Sequence, residues 1–151
     1  MRFSPVLLAG LVPFVAAAPT ASAGSVSMMA ENVPQWTIES MKRTCDAKDT
    51  SCVWSFGIQN NRVAGAAAIP CTFTVKAGAK PASQTDVAGI KCAFFTVSEG
   101  WSDQFGLENA FTTLSIANFD TRLIAFPAYT AKELADGKVV SPNRSYQPQK
   151  F

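Results

Sequence analysis

Residues 36–59 read WTIESMKRTCDAKDTSCVWSFGIQ. Within them Cys52, Trp54, Phe56 and Ile58 alternate with Val53, Ser55, Gly57 and Gln59, the period of a strand with one buried face. Trp36 and Ile38 alternate in the same way with Thr37 and Glu39. Between the two runs lies TCDAKDTSC, residues 44–52, where Asp and Ser side chains can bond their own backbone and favour a turn. The stretch predicts an antiparallel hairpin with an aromatic and β-branched inner face and a cysteine on each strand near its closing end.

Cys45, Cys52, Cys71 and Cys92 are the only cysteines in 151 residues, and there is no histidine. A zinc site wants C-x-x-C spacing or histidine partners, and a redox pair wants C-x-x-C beside a βαβ pattern. Neither pattern is present, so a disulfide framework is expected and no metal. Four cysteines allow three pairings. Hairpin geometry favours Cys45–Cys52, because facing positions meet the short Cα separation of a disulfide, and leaves Cys71–Cys92. Chain entropy does not choose among the three.

Working outward, Asn60-Asn61 turns the chain into an Ala-rich stretch ending at Pro70. Cys71, Phe73 and Val75 alternate as a strand, and residues 77–89 read as a long polar loop. Residues 94–98 (FFTVS) form a short strand; 111–117 (FTTLSIA) and 122–126 (RLIAF) form a further pair. Thr130-Ala131-Lys132-Glu133 fits a capping box, closed two turns later by Asp136-Gly137. The tail, with Pro142 and Pro148, is expected to be extended. The fold class is therefore all-β: a small antiparallel β-barrel or sandwich with two disulfides and one short C-terminal helix.

At the N-terminus, Arg2 precedes an apolar stretch to Ala17 and then small residues, the layout of a secretory signal peptide. Cleavage is expected after Ala17, or alternatively after Ala23. Residues 18–34 read as a flexible arm and 35–151 as a single β domain. No later apolar run approaches the ~20 residues of a membrane span. Lys and Arg number 13 against 11 Asp and Glu, and the basic residues are scattered. A nucleic-acid partner wants a concentrated basic face, so none is expected, and no membrane insertion either.

Without histidine, Ser-His-Asp and Cys-His chemistry is excluded, and paired cysteines leave no thiol nucleophile. The one concentration of carboxylates is Glu99, Asp103 and Glu108 in SEGWSDQFGLEN, residues 98–109. Two of them beside Trp101 could form a glycosidase pair; the plainer reading is a solvated loop. The same acids lack a calcium-loop pattern. No cofactor is expected. Asn143-Arg144-Ser145 is an acceptor triplet for N-linked glycosylation.

Three segments carry a resemblance: WTIESMKRTCDAKDTSCVWSFGIQ, GWSDQFGLENAFTTLSI and RLIAFPAYTAKELADGKVV. Together they resemble a family of small secreted proteins of ascomycete fungi, described as hypersensitive-response-inducing elicitors of plant pathogens. A looser similarity is to the Alternaria major-allergen family of secreted β-barrels. Leu107 and Ala110 depart from the pattern by standing where glycines are usual. The resemblance implies an extracellular protein perceived by plant tissue, with defence responses and cell death as the readout. It carries over no catalytic residues.

The reading that results is a secreted effector that acts by being bound. Its expected partner is a host plant receptor or cell-surface component, and its own state a monomer or weak homo-oligomer. Exposed aromatics dominate recognition energetics, so the loop bearing Trp101, Asp103 and Phe105 is the expected contact surface. The alternative for Trp101 and Phe105 is core packing. Two other readings stand beside it: a wall-polysaccharide enzyme using the acidic loop, and a passive wall-associated or small-ligand-binding barrel.

Overall fold

The computed structural model describes residues 32–151; the signal-peptide assignment and most of the N-terminal arm lie outside them. The opening hairpin forms as β1 (Trp36–Cys45) and β2 (Ser51–Gln59), in a register that sets Cys45 opposite Cys52. β3 (Ile69–Lys76) adds to the far side of β2, and β9 (Arg144–Tyr146), formed by the extended tail, adds to β1. The first sheet thus runs β3-β2-β1-β9.

The second sheet contains β4 (Val87–Cys92), β5 (Phe95–Ser102), β6 (Phe111–Asn118), β7 (Leu123–Ala125) and β10 (Gln149–Lys150), in the order β10-β7-β6-β5-β4. β8 (Ala128–Thr130) pairs with the start of β6. Side chains from both sheets fill one core. Trp36 of the first sheet meets Phe95 of the second edge-on at 5.0 Å, and Trp54 stacks on Phe73 at 6.1 Å. Alternation explains this filling, since each strand sends every second residue inward.

The architecture is an open sandwich, not a closed barrel. At one seam β3 and β4 are joined by the Cys71–Cys92 disulfide, with Cα atoms 5.2 Å apart, and no ladder links them. At the other seam the chain passes from β9 to β10 through Gln147-Pro148. Cys45 and Cys52 are bonded across the first hairpin.

Three local expectations change. The first concerns the C-terminal helix. The capping-box contacts do form: the Thr130 N–H donates to Glu133 Oε2 at 2.8 Å, and the Glu133 N–H donates to Thr130 Oγ1 at 3.3 Å. They close a turn only, followed by a 3₁₀ turn at Ala135–Gly137, because Asp136 sits at φ 60° and ends the run. A helix so short cannot recover the cost of its nucleus. The second is the polar loop at 77–89, whose end, from Val87, is strand β4.

The third is the strand begun at residue 94. It continues as β5 through Gly100 and Trp101 to Ser102, pairing Glu99 with Leu114 and Trp101 with Thr112. Pairing against β6 overrides the poor strand propensity of Glu and Gly. Glu99 and Trp101 are consequently strand residues, and only Asp103 onward is a loop.

Candidate functional site

The β5–β6 connection, residues 103–110, is compact. The Gly106 N–H donates to the Asp103 carbonyl at 2.8 Å, and the Asn109 side-chain amide donates to the Phe105 carbonyl at 3.0 Å. A 3₁₀ turn at Leu107–Asn109 follows, entered through Gly106 at φ 92°, a conformation that favours glycine. The Phe105 ring stacks on Phe111, centroids 6.1 Å apart. Phe105 is nonetheless 66 % exposed and Leu107 67 %. Large apolar side chains held in water by a braced turn are the unusual feature of this end of the molecule.

The three residues proposed as a recognition loop separate into two environments. Asp103 and Phe105 lie on the exposed turn. Trp101 is half-buried at the end of β5, with its backbone N–H donating to Asp86 Oδ1 at 2.8 Å and the Lys80 ammonium 5.3 Å from its ring centroid. Its charged neighbours are thus Asp86 and Lys80, outside the turn. Leu107, noted in the sequence only as standing where glycine is usual, joins Phe105 as the second exposed apolar side chain. Its position directly after Gly106 in a polar segment was the available signal.

The acidic residues are also divided. Glu99 continues the inward face of β5 after Phe95 and Val97 and is only 4 % exposed, while Asp103 and Glu108 are exposed on the turn. Burial pushes the Glu99 carboxyl up to about 7; nearby Asp86 adds to this, and Arg43 opposes it. Its Oε2 has no hydrogen-bond partner among the described residues. A glycosidase pair needs two carboxyl groups facing one open site. Here one carboxyl points into the core and the others into solvent.

Sequence reading missed Arg43. A bulge at Ser40, φ 51°, shifts the register of β1 between Glu39 and Lys42 and turns Met41 and Arg43 inward. The Arg43 guanidinium lies 5.5 Å from the Trp54 ring centroid, and its Nη1 donates to the Ser83 carbonyl at 3.2 Å. Desolvation lowers its pKa against the raising influence of Glu99 and Asp49.

Asp49 completes this brace, accepting from the Ser83 N–H at 2.9 Å and from Ser83 Oγ at 2.5 Å. Among the described residues, Cys45, Asp49 and Cys52 cluster closely enough to suggest a metal site. The two sulfurs are bonded to each other and the carboxylate is engaged by Ser83, so the donor set does not fit a metal.

Asn143 is exposed just before β9, and its Oδ1 accepts from the Ser40 N–H at 3.0 Å. The interior is filled by Trp36, Trp54, Phe95 and Tyr129. A recess of about 410 Å³ on the outer face of the second sheet, bounded by Ser98, Gly100, Thr113, Ser115 and Phe126, is an open depression.

Comparison with known proteins places this chain in a family. The chain is 43 % identical over 148 residues to "Effector TSP1" of Hypocrea virens (strain Gv29-8 / FGSC 10586), covering 98 % of this chain and 97 % of that protein. The family described as Effector TSP1 matches residues 37–151, from the second residue of β1 to the C-terminus. This chain, with its two-disulfide open sandwich, belongs to the Effector TSP1 family.

Proposed function

We propose that this chain is a secreted fungal effector that plant tissue perceives, and that it acts by being bound, without catalysis. The observation that carries the reading is the Phe105–Leu107 turn: two large apolar side chains presented to water on a hydrogen-bonded support. Such groups cost free energy while exposed and gain it when a partner covers them. Asp103, exposed on the same turn, and Trp101, half-buried at the end of β5, complete the surface. The family relationship and the two disulfides support an extracellular setting, where disulfides persist. The partner is a host plant receptor or cell-surface component, and the effector meets it as a monomer or weak homo-oligomer. Neither nucleic acid nor membrane insertion enters the reading, and no cofactor is required. The burial of Glu99 away from Asp103 and Glu108 weighs against the wall-enzyme alternative.

The test infiltrates leaf tissue with purified mature protein and records the oxidative burst and cell death. Oxidised wild-type protein should elicit both responses, and a reduced and alkylated portion should elicit neither. Phe105→Ala with Leu107→Ala should abolish the response while leaving the melting temperature unchanged. Full activity in that double variant would remove the turn from the mechanism. Silence from the oxidised wild type would overturn perception by plants altogether.

A further inference from the structure

We propose that Asn143 carries an N-linked glycan in the secreted protein. The inference rests on the secretory reading above and adds a site to it. Asn143-Arg144-Ser145 supplies the acceptor amide and the hydroxyl two residues on, and neither Arg144 nor Tyr146 is proline. The geometry decides whether the folded chain can accommodate a sugar there.

A backbone N–H can only donate, so the Ser40 N–H fixes which end of the Asn143 amide faces the protein: it is Oδ1. The other end, Nδ2, is the atom that bonds to the sugar, and no hydrogen bond from the described residues engages it. Ser141, Pro142 and Asn143 are all exposed. A glycan on Nδ2 therefore projects into solvent without breaking the contact that ties the tail to the β1 bulge. It stands at the start of β9, the edge strand of the first sheet, where a bulky sugar obstructs edge-to-edge pairing.

The covalent step transfers an oligosaccharide from a lipid-linked pyrophosphate donor in the secretory lumen. Nδ2 bonds to C1 of the first sugar and gives up one proton to a base. The bond from C1 to the pyrophosphate oxygen breaks, and the lipid pyrophosphate leaves with the electron pair. Nothing is oxidised or reduced.

The experiment secretes the full chain from a filamentous fungus and treats the medium with a peptide-N-glycosidase. Wild-type protein should lose apparent mass on treatment, and the peptide containing residue 143 should then carry aspartate. Ser145→Thr should keep the shift, because threonine also completes the triplet. Ser145→Ala and Asn143→Asp should both lose it. The second of these keeps an acceptor oxygen for the Ser40 N–H, so a folding fault cannot explain both losses. Secreted wild-type protein at its bare mass overturns the glycan while leaving secretion intact. Wild-type chain retained in the cells at its bare mass overturns both.

Discussion

Between Cys45 and Cys52 the tip of the first hairpin is polar, closed by a disulfide and tied to the neighbouring Ala82–Gln84 turn through Asp49, Ser83 and Arg43. Between Ser102 and Phe111 the tip of the β5–β6 hairpin has no covalent closure, and it turns Phe105 and Leu107 to water over a few backbone hydrogen bonds and one ring stack. Strands of nearly the same length lead to both. The first tip gains little from apolar burial and is held by covalent and polar bonds. The second leaves apolar surface uncovered at an end that contributes little to the core. Constraint and exposure are assigned to different ends of the fold, so the two tips should respond to substitution in opposite ways.

The largest effect is expected from the disulfides. Replacing Cys71 and Cys92 with serine releases a closed loop of about 22 residues and should lower stability by about 3 kcal/mol; the Cys45 and Cys52 pair, closing about 8 residues, should lower it by about 2.5 kcal/mol. Urea unfolding of each double variant measures both. If loss of Cys45–Cys52 changes nothing, the first tip is not covalently held in any energetic sense, and the comparison fails.

Next comes Glu99, buried on the inward face of β5 with Asp86 and Arg43 as its charged neighbours. Its carboxyl titrates near 7 in the folded protein against 4.5 ordinarily. Below about pH 4.5 the group is protonated in both states and carries no penalty. As pH rises through this window the unfolded chain ionises more readily, so stability falls, by at most about 3 kcal/mol, and levels off above 7. Asp46 and Glu133, whose carboxyls are held below the usual range, titrate at lower pH and leave the interval from 5 to 8 unaffected. Melting temperatures across that interval should decline for the wild type and stay flat for Glu99→Gln. A flat wild-type profile would contradict the burial of this carboxyl.

A smaller contrast compares one aspartate from each tip. Asp49→Ala removes both bonds to Ser83 and should cost about 1–2 kcal/mol, whereas Asp103→Ala should stay within about 0.5 kcal/mol. Smallest in stability are Phe105→Ala and Leu107→Ala, within about 0.5 kcal/mol each, although the leaf response should disappear. Equal destabilisation by the Asp49 and Phe105 variants would erase the distinction between the tips.

The two tips also differ in how much of them the sequence disclosed. Cys52, Trp54, Phe56 and Ile58 alternate without interruption, so β2 and its disulfide partner were legible from spacing alone. Arg43 was not, because one extra residue at Ser40 reverses the parity of β1, and nothing in SMKR marks a bulge. Glu99 was hidden because a carboxylate in an inward position breaks the apolar pattern that defines a strand; only pairing with Leu114 reveals it. The capping box at Thr130 was a true local signal, and its side-chain bonds form. Whether a helix follows depends on Leu134 seated in the core and Asp136 in the left-handed region, which are tertiary facts. At the β5–β6 turn the residue types were visible, but the division between a half-buried Trp101 and an exposed Phe105 was not.

The tail contributes β9 to one sheet and β10 to the other, and β1 lies more than a hundred residues before its partner β9. In a chain synthesised from its N-terminus, the opening hairpin therefore has its outer partner missing until residues 144–150 have emerged. Closing so long a loop is slow compared with forming a local hairpin. The order of events follows: hairpins and turns first, then the tail arriving as the last piece to fasten both sheets.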